Sequence, residues 1–203
     1  TGIGLGIVDE AHHAAARTYV EVLRHFGCFD STPAAGFTAT MKREDGGLAE
    51  VWEEVVYTRD ILEMIADRYL VDVRGKQVVV GGLNLDAVKT RHGDLQDGQL
   101  SQALTDSGAA TVVADAYVEL AKDRPGVIFT PTVDTAHAMT DAMNAVGIPT
   151  ATVWGDMPKQ ERAAALKAYE AGDIQVLSNC MVLTEGFDAP WASCAVIARP
   201  TKS

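Results

Sequence analysis

Val8-Asp9-Glu10-Ala11-His12-His13 decides how the rest of the chain is read. It ends an apolar run, Ile3 to Val8, that is broken by Gly4 and Gly6. Such a run reads as a short buried strand with an acidic pair at its C-terminal end, where open α/β sheets bind their ligands. Two adjacent carboxylates at that place suit metal–nucleotide chemistry. Asp9 can hold Mg²⁺, which takes hard oxygen ligands and keeps several waters. Glu10 can orient and deprotonate a water for attack on a phosphate. An Asp-Glu pair after a strand also occurs as a plain polar turn, so the reading depends on the residues further along the chain.

Outward from this stretch, Ala14 to Phe26 reads as a helix whose buried face is Tyr19, Val20, Leu23 and Phe26, closed by Gly27. Ala34 to Thr38 reads as a second short, buried strand. Leu48 to Val56 suggests a short helix running into a strand. Ile61, Leu62, Ile65, Ala66 and Tyr69 form a helical stripe. Leu70 to Val73 and Gln77 to Val80 suggest strands separated by Arg74-Gly75-Lys76, and Leu95 to Thr105 a short helix. Arg91 and His92 fit a solvated loop better than a nucleic-acid contact.

From Ala109 the pattern becomes regular. Helices over Ala109–Lys122, Asp134–Val146 and Lys159–Ala171 alternate with strands over Val127–Thr130, Ala151–Trp154 and Ile174–Ser178, and Cys194–Ala198 adds a last strand. Alternation of this kind marks a parallel sheet in an α/β fold. Three strand ends then share one face: Thr130-Pro131-Thr132, Gly155-Asp156, and Ser178-Asn179-Cys180 leading to Thr184-Glu185-Gly186. Hydroxyls and backbone amides on such loops bind phosphates without reading bases. A Thr there also serves as a cap for the following helix, and the two roles can coexist.

The order of these elements resembles superfamily 2 helicases. Val8 to His13 looks like motif II, the DEAH-type box. Gly36-Phe37-Thr38-Ala39-Thr40 looks like motif III. Val127-Ile128-Phe129-Thr130-Pro131-Thr132 looks like motif IV, and Leu183-Thr184-Glu185-Gly186-Phe187-Asp188-Ala189-Pro190 looks like motif V, usually T-x-G-x-D-x-P. The branch with type III restriction subunits and RadD-like repair helicases is the most similar. The resemblance implies α/β architecture with two RecA-like parallel-sheet lobes: residues 1–58 as the C-terminal part of the first, 59–108 as the connection and start of the second, and 109–203 as the second. It implies an ATP-dependent helicase or translocase that hydrolyses ATP with Mg²⁺ between the lobes and acts on DNA, with RNA left open.

The roles implied by the resemblance fall on single residues. Asp9 is the Mg²⁺ residue, Glu10 the general base, and His12 the link from nucleotide to motif III or to the second lobe. Thr38 and Thr40 couple hydrolysis to lobe motion. Thr130, Thr132 and Thr184 touch the nucleic-acid backbone. Gly186 permits close backbone approach to nucleotide, and Asp188 lies at the ribose or orders the hydrolytic site. His13 reads as a surface residue, and Arg162 as a structural or ion-pair residue despite its likeness to the motif IVa arginine. The chain contains no G-x-x-x-x-G-K-S/T phosphate loop, and no Q-x-x-G-R-x-x-R follows Ser203. With Thr1 in place of an initiator Met, the expectation is the middle of a helicase, inactive alone and active in its parent. A double-strand translocase that does not unwind, and a non-catalytic nucleic-acid-binding scaffold, are the alternatives.

Bulk properties are compatible with this. The chain has 203 residues, 47% of them hydrophobic, enough for a real core. A net charge of −11 argues against a generally basic nucleic-acid-binding surface without excluding local contacts. Cys28, Cys180 and Cys194 lack metal-ligand spacing and fit reduced thiols of a cytoplasmic protein. No stretch is apolar enough to span a bilayer.

Overall fold

A computed structural model of the chain describes residues 2–40, 47–91, 94–183 and 186–200. They fall into two compact units, Thr1–Arg74 and Gly75–Ser203. The division lies inside the stretch 59–108.

The second unit holds the regular part of the fold. Helix α4 (Ala109–Ala121) precedes β5 (Gly126–Phe129), α5 (Val133–Ala145), β6 (Thr150–Trp154), α6 (Lys159–Ala171), β7 (Val176–Cys180) and β8 (Cys194–Ile197). The four strands form one all-parallel sheet in the order β6-β7-β5-β8. Strands buried on both faces read as continuous apolar runs. Neighbouring residues accordingly point to opposite layers. Ile128 and Val176 pack with Ala114, Tyr117, Met139 and Met143 of α4 and α5, while Val127 and Leu177 pack with Val153, Tyr169 and Leu183 on the α6 side. Met139, Met143, Ile128, Val176 and Leu177 are at most 1% exposed, and each contributes about 1.5–3 kcal/mol by leaving water.

The helix limits follow local rules. Thr132 caps α5, its hydroxyl accepting from Thr135 N at 3.2 Å. Gly172 follows α6 at φ 83°, a left-handed position that glycine enters without a Cβ penalty. In α4 the buried residues are Ala109 at its start and then Ala114, Tyr117 and Ala121, three and four residues apart, and Leu120 faces outward. Upstream, the hairpin β3 (Thr90–Arg91) with β4 (Asp94–Leu95) leads into α3 (Asp97–Asp106), and Val88, Leu95, Leu100 and Leu104 make a smaller cluster. His92 lies outside the described residues.

The first unit departs more from expectation. The run from Ile3 is a strand only over β1 (Gly6–Val8), which pairs in parallel with β2 (Ala34–Gly36). This strand is not buried: Ile7 is 67% exposed, and Leu5 just before it 52%. Among the described residues of this unit β1 has the single neighbour β2, so no sheet builds up for helices to cover. Helix α1 (Arg17–His25) starts later than expected; it buries Leu23, leaves Tyr19 partly exposed, and ends at Gly27 with φ 74°. Residues Gly47–Glu50 form a 3₁₀ turn and the following residues carry no strand. Helix α2 (Ile61–Ala66) has a capping box made by Asp60 and Glu63. Its stripe is open to solvent all the same, with Ile61 65% and Leu62 74% exposed. The strands expected at 70–73 and 77–80 are absent; both segments run without ladder partners among the described residues. Apolar β-type composition shows that a segment can pair and bury, and here no partner strand is supplied. No helix among the described residues is long and apolar enough to cross a membrane.

Candidate functional site

In the first unit, the parallel register Gly6↔Ala34, Ile7↔Ala35, Val8↔Gly36 makes the DEAH-type box and the Gly36–Thr40 stretch leave the sheet side by side. Phe37 N donates to Val8 O at 2.9 Å, and Ala11 N donates to Phe37 O at 2.9 Å. Between them the chain turns sharply. Glu10 adopts φ 47°, ψ 48°, a left-handed conformation that costs a non-glycine residue about 1–3 kcal/mol unless its surroundings impose it. The turn is held by Glu10 N donating to Asp9 Oδ1 at 2.9 Å. It swings Ala11–His13 into a 3₁₀ turn and leaves both carboxylates exposed.

Three side chains then meet. His12 Nδ1 lies 2.9 Å from Thr38 Oγ1 and 3.2 Å from Glu10 Oε2. Thr38 Oγ1 accepts from Thr40 N at 3.1 Å and lies 3.1 Å from Thr40 O. A hydroxyl has one proton and a carboxylate oxygen only accepts. The consistent assignment puts a hydrogen on His12 Nδ1, shared between Glu10 and Thr38, while Thr38 donates to Thr40 O. The ring of His13 lies against that of His12, tilted by 42° with centroids 3.9 Å apart. Glu10, His12, Thr38 and Thr40 are thus brought together as one chain of contacts, and Asp9 stands at its head.

Two residues that hold this arrangement were not singled out in the sequence. Trp52 Nε1 donates to Ala11 O at 3.2 Å. Gly36 faces Ala11 and Trp52 so closely that a Cβ would sit 2.6 Å from Ala11 Cβ and 2.7 Å from Trp52 Cζ2. A single indole after a polar stretch was the available signal, since a covered indole N–H needs an acceptor. Gly36→Ala should therefore force Ala11 and Trp52 apart and destabilise the protein by about 1–3 kcal/mol, the usual cost of overpacking. An unchanged urea midpoint would show that the pocket yields freely.

In the second unit all four strands of the sheet are parallel, so their C-terminal ends share one edge. Thr130 and Thr132 follow β5 there. Thr130 is 2% exposed, and its hydroxyl lies 3.0 Å from Asn179 O and 3.1 Å from Thr132 O. It faces into the protein. Thr132 is half-buried and forms a hydroxyl triangle with Ser101 and Thr135, with edges of 2.8 to 2.9 Å. Ser178 and Asn179, expected at a strand end, are inside β7 and fully buried. Asn179 Nδ2 donates to Ile128 O at 2.9 Å, and its Oδ1 accepts from Leu183 N at 3.3 Å. Thr184 and Glu185 lie outside the described residues. Gly186 has φ 68°, and it and Asp188 are exposed.

Arg162 Nη1 donates to the carbonyls of Trp154 and Gly155 at 3.4 and 3.3 Å, tying α6 to the end of β6, in keeping with a structural role. Burial raises the thiol pKa of Cys180 and Cys194, and nearby Asp97 adds to the rise at Cys180. Burial also pushes the Tyr117 phenol far above its ordinary range.

Comparison with known proteins places these features. Residues 109–203 match the helicase conserved C-terminal domain. A Saccharomyces cerevisiae protein named ATP-dependent helicase IRC3 is 33% identical over 99% of this chain and 30% of its own length. A Schizosaccharomyces pombe protein named mitochondrial ATP-dependent helicase irc3 is 33% identical over 93% of this chain and 32% of its own length. The chain thus spans about a third of the length of these relatives. The fold is similar to Mycobacterium smegmatis helicase Lhr, solved with ssDNA and AMP-PNP, at TM-score 0.53, 17% identity, and 97% and 25% coverage of the two chains. It is similar to Saccharomyces cerevisiae Dbp5, solved with Gle1 and IP6, at TM-score 0.51, 18% identity, and 95% and 42% coverage. Residues 109–203 therefore match the helicase conserved C-terminal domain, with its RecA-like parallel sheet, and the chain as a whole is similar to proteins named as ATP-dependent helicases.

Proposed function

We propose that the full-length protein is a motor that hydrolyses ATP and uses the energy to move along DNA. The observation that carries this reading is the contact chain Glu10–His12–Thr38–Thr40 at the ends of paired parallel strands. It joins a carboxylate suited to activating water with a hydroxyl segment suited to reporting the state of that carboxylate. The names of the relatives as ATP-dependent helicases support it.

Glu10 takes the proton of the attacking water while its oxygen bonds to the terminal phosphorus and the bridge to the leaving diphosphate breaks. Asp9 would hold Mg²⁺. Its exposed carboxylate is a hard donor, one oxygen of which is already fixed by Glu10 N. No group of three or more His, Cys, Asp or Glu that could hold a metal occurs among the described residues. Mg²⁺ is usually held by one or two carboxylates together with water and substrate phosphates. When bound, the ion neutralises phosphate charge. Within the second unit, Gly186 and Asp188 are the nucleotide contacts of this reading.

On the nucleic-acid side, Thr132 and Thr184 supply hydroxyls, and the capped N-terminus of α5 supplies amides for a backbone phosphate. Thr130 acts differently from its sequence reading. Its buried hydroxyl shapes the loop and does not touch the strand.

Thr38→Val removes the hydroxyl shared by His12 and Thr40 at nearly constant volume. Basal ATP hydrolysis should stay within a few-fold of wild type, while its stimulation by DNA should fall by about fivefold or more, the lower range of coupling energies between linked sites. Undiminished stimulation would remove the coupling role from Thr38.

A further inference from the structure

The C-terminal edge of the second unit carries an arginine that no motif reading uses. Arg199 follows β8, and Ala198 N donates to Phe129 O at 2.9 Å, so the chain enters this residue beside the end of β5. Its side chain then crosses the sheet edge. Nη1 lies 3.1 Å from Sδ of Met181, just after β7 on the far side of β5. Nη2 lies 3.4 Å from Asp97 Oδ1, at the start of α3. Four residues along the same helix, Ser101 bonds Thr132 at 2.9 Å, and residues four apart share a helix face. The guanidinium is therefore stretched over the end of β5, next to the Thr132 loop, in the position where parallel sheets receive ligands.

We propose that Arg199 is a phosphodiester-binding residue of this edge, and that Asp97 holds it when no strand is present and yields it to a backbone phosphate when one arrives. The proposal deepens the nucleic-acid reading above and rests on it. The geometry favours exchange over a fixed pair. The Asp97 side chain is 51% exposed, the Arg199 side chain 28%, and the contact at 3.4 Å is loose, so the pair stands nearer to surface ion pairs, which contribute little stability, than to buried ones. A phosphate offers the same guanidinium two charge-assisted bonds at once. In a chain of net charge −11, a cation tethered by an acid also explains how an acidic protein keeps a phosphate site without a basic surface.

The test uses the full-length protein and fluorescent oligodeoxythymidylate, with oligouridylate as a parallel arm, titrated over a range of salt. Arg199→Gln should weaken binding about tenfold or more, as expected for a lost bond to a charged group. It should also reduce the slope of log K against log salt by about 0.7, one single-strand phosphate contact. Arg199→Lys should keep the slope. Asp97→Asn should act in the opposite direction, tightening binding about two- to fivefold, the scale of an exposed ion pair. A folding defect cannot produce that gain. Equal effects in both arms assign Arg199 to the phosphodiester common to DNA and RNA; an effect confined to one arm overturns a purely phosphodiester contact. Wild-type protein that binds neither oligonucleotide removes the nucleic-acid reading and this proposal with it. Binding by wild type with an unchanged slope in Arg199→Gln, or no gain in Asp97→Asn, overturns this proposal alone.

Discussion

Glu10→Gln in the full-length protein should leave ATP binding within a few-fold of wild type and lower turnover by about 10²–10⁴-fold, the usual contribution of a positioned general base. The two side chains have the same shape. The amide oxygen of Gln can still accept from His12 Nδ1, now 3.2 Å from Glu10 Oε2, and the left-handed turn at this position needs nothing from the carboxylate. Removing proton-accepting power while keeping the contact separates chemistry from architecture. Titration with a fluorescent ATP analogue, beside phosphate release, reads both quantities. Turnover close to wild type would reject Glu10 as the base. Loss of binding together with turnover would show that the carboxylate organises the site instead.

The second large effect is on stability. Asn179 is fully buried in β7, donating to Ile128 O and accepting from Leu183 N. Asn179→Leu keeps much of the volume and removes both bonds. Two buried backbone groups then lose a partner at about 1–3 kcal/mol each, so unfolding free energy should fall by about 2–4 kcal/mol, allowing for the ladder bond at Ile128. The damage should extend to the loop after β7, because Leu183 N is fixed only one residue before Thr184. Urea denaturation followed by tryptophan fluorescence measures the first part. A loss under about 0.5 kcal/mol, the range of an ordinary surface substitution, would show that the amide is dispensable.

These two residues also mark how far the sequence could be read. The strand–helix order of the second unit was legible because its apolar periodicity is answered within the chain. Met139 and Met143 on α5 meet Ile128 and Val176, and glycines at 147 and 172 stop helices at left-handed positions. Residues 70–80 were misread for the opposite reason. Val71, Val73 and Val79 have strand-like composition, but pairing is a property of two segments, and they remain 83%, 74% and 79% exposed.

Within the candidate site, the resemblance to motifs II and III pointed to Asp9, Glu10, His12 and Thr38, and the paired parallel strands β1 and β2 bring Glu10, His12 and Thr38 together. Hydroxyl direction was not legible. Thr130 and Thr132 are two residues apart, yet one is buried against Asn179 O and the other meets Ser101. Trp52 was missed because it reaches Ala11 across 41 residues of chain, a contact no local pattern encodes. Arg199 belongs to none of the motifs read from the sequence. Its significance came from the sheet order, which places β5 between β7 and β8.

The most direct test of a strand-coupled motor is ATP hydrolysis by the full-length protein with and without single-stranded DNA. The expected result is Mg²⁺-dependent turnover that rises when the oligonucleotide is added and saturates as binding saturates. Turnover that is absent, or that is identical with and without DNA under conditions where DNA is bound, would contradict the claim that this chain couples hydrolysis to movement along a strand.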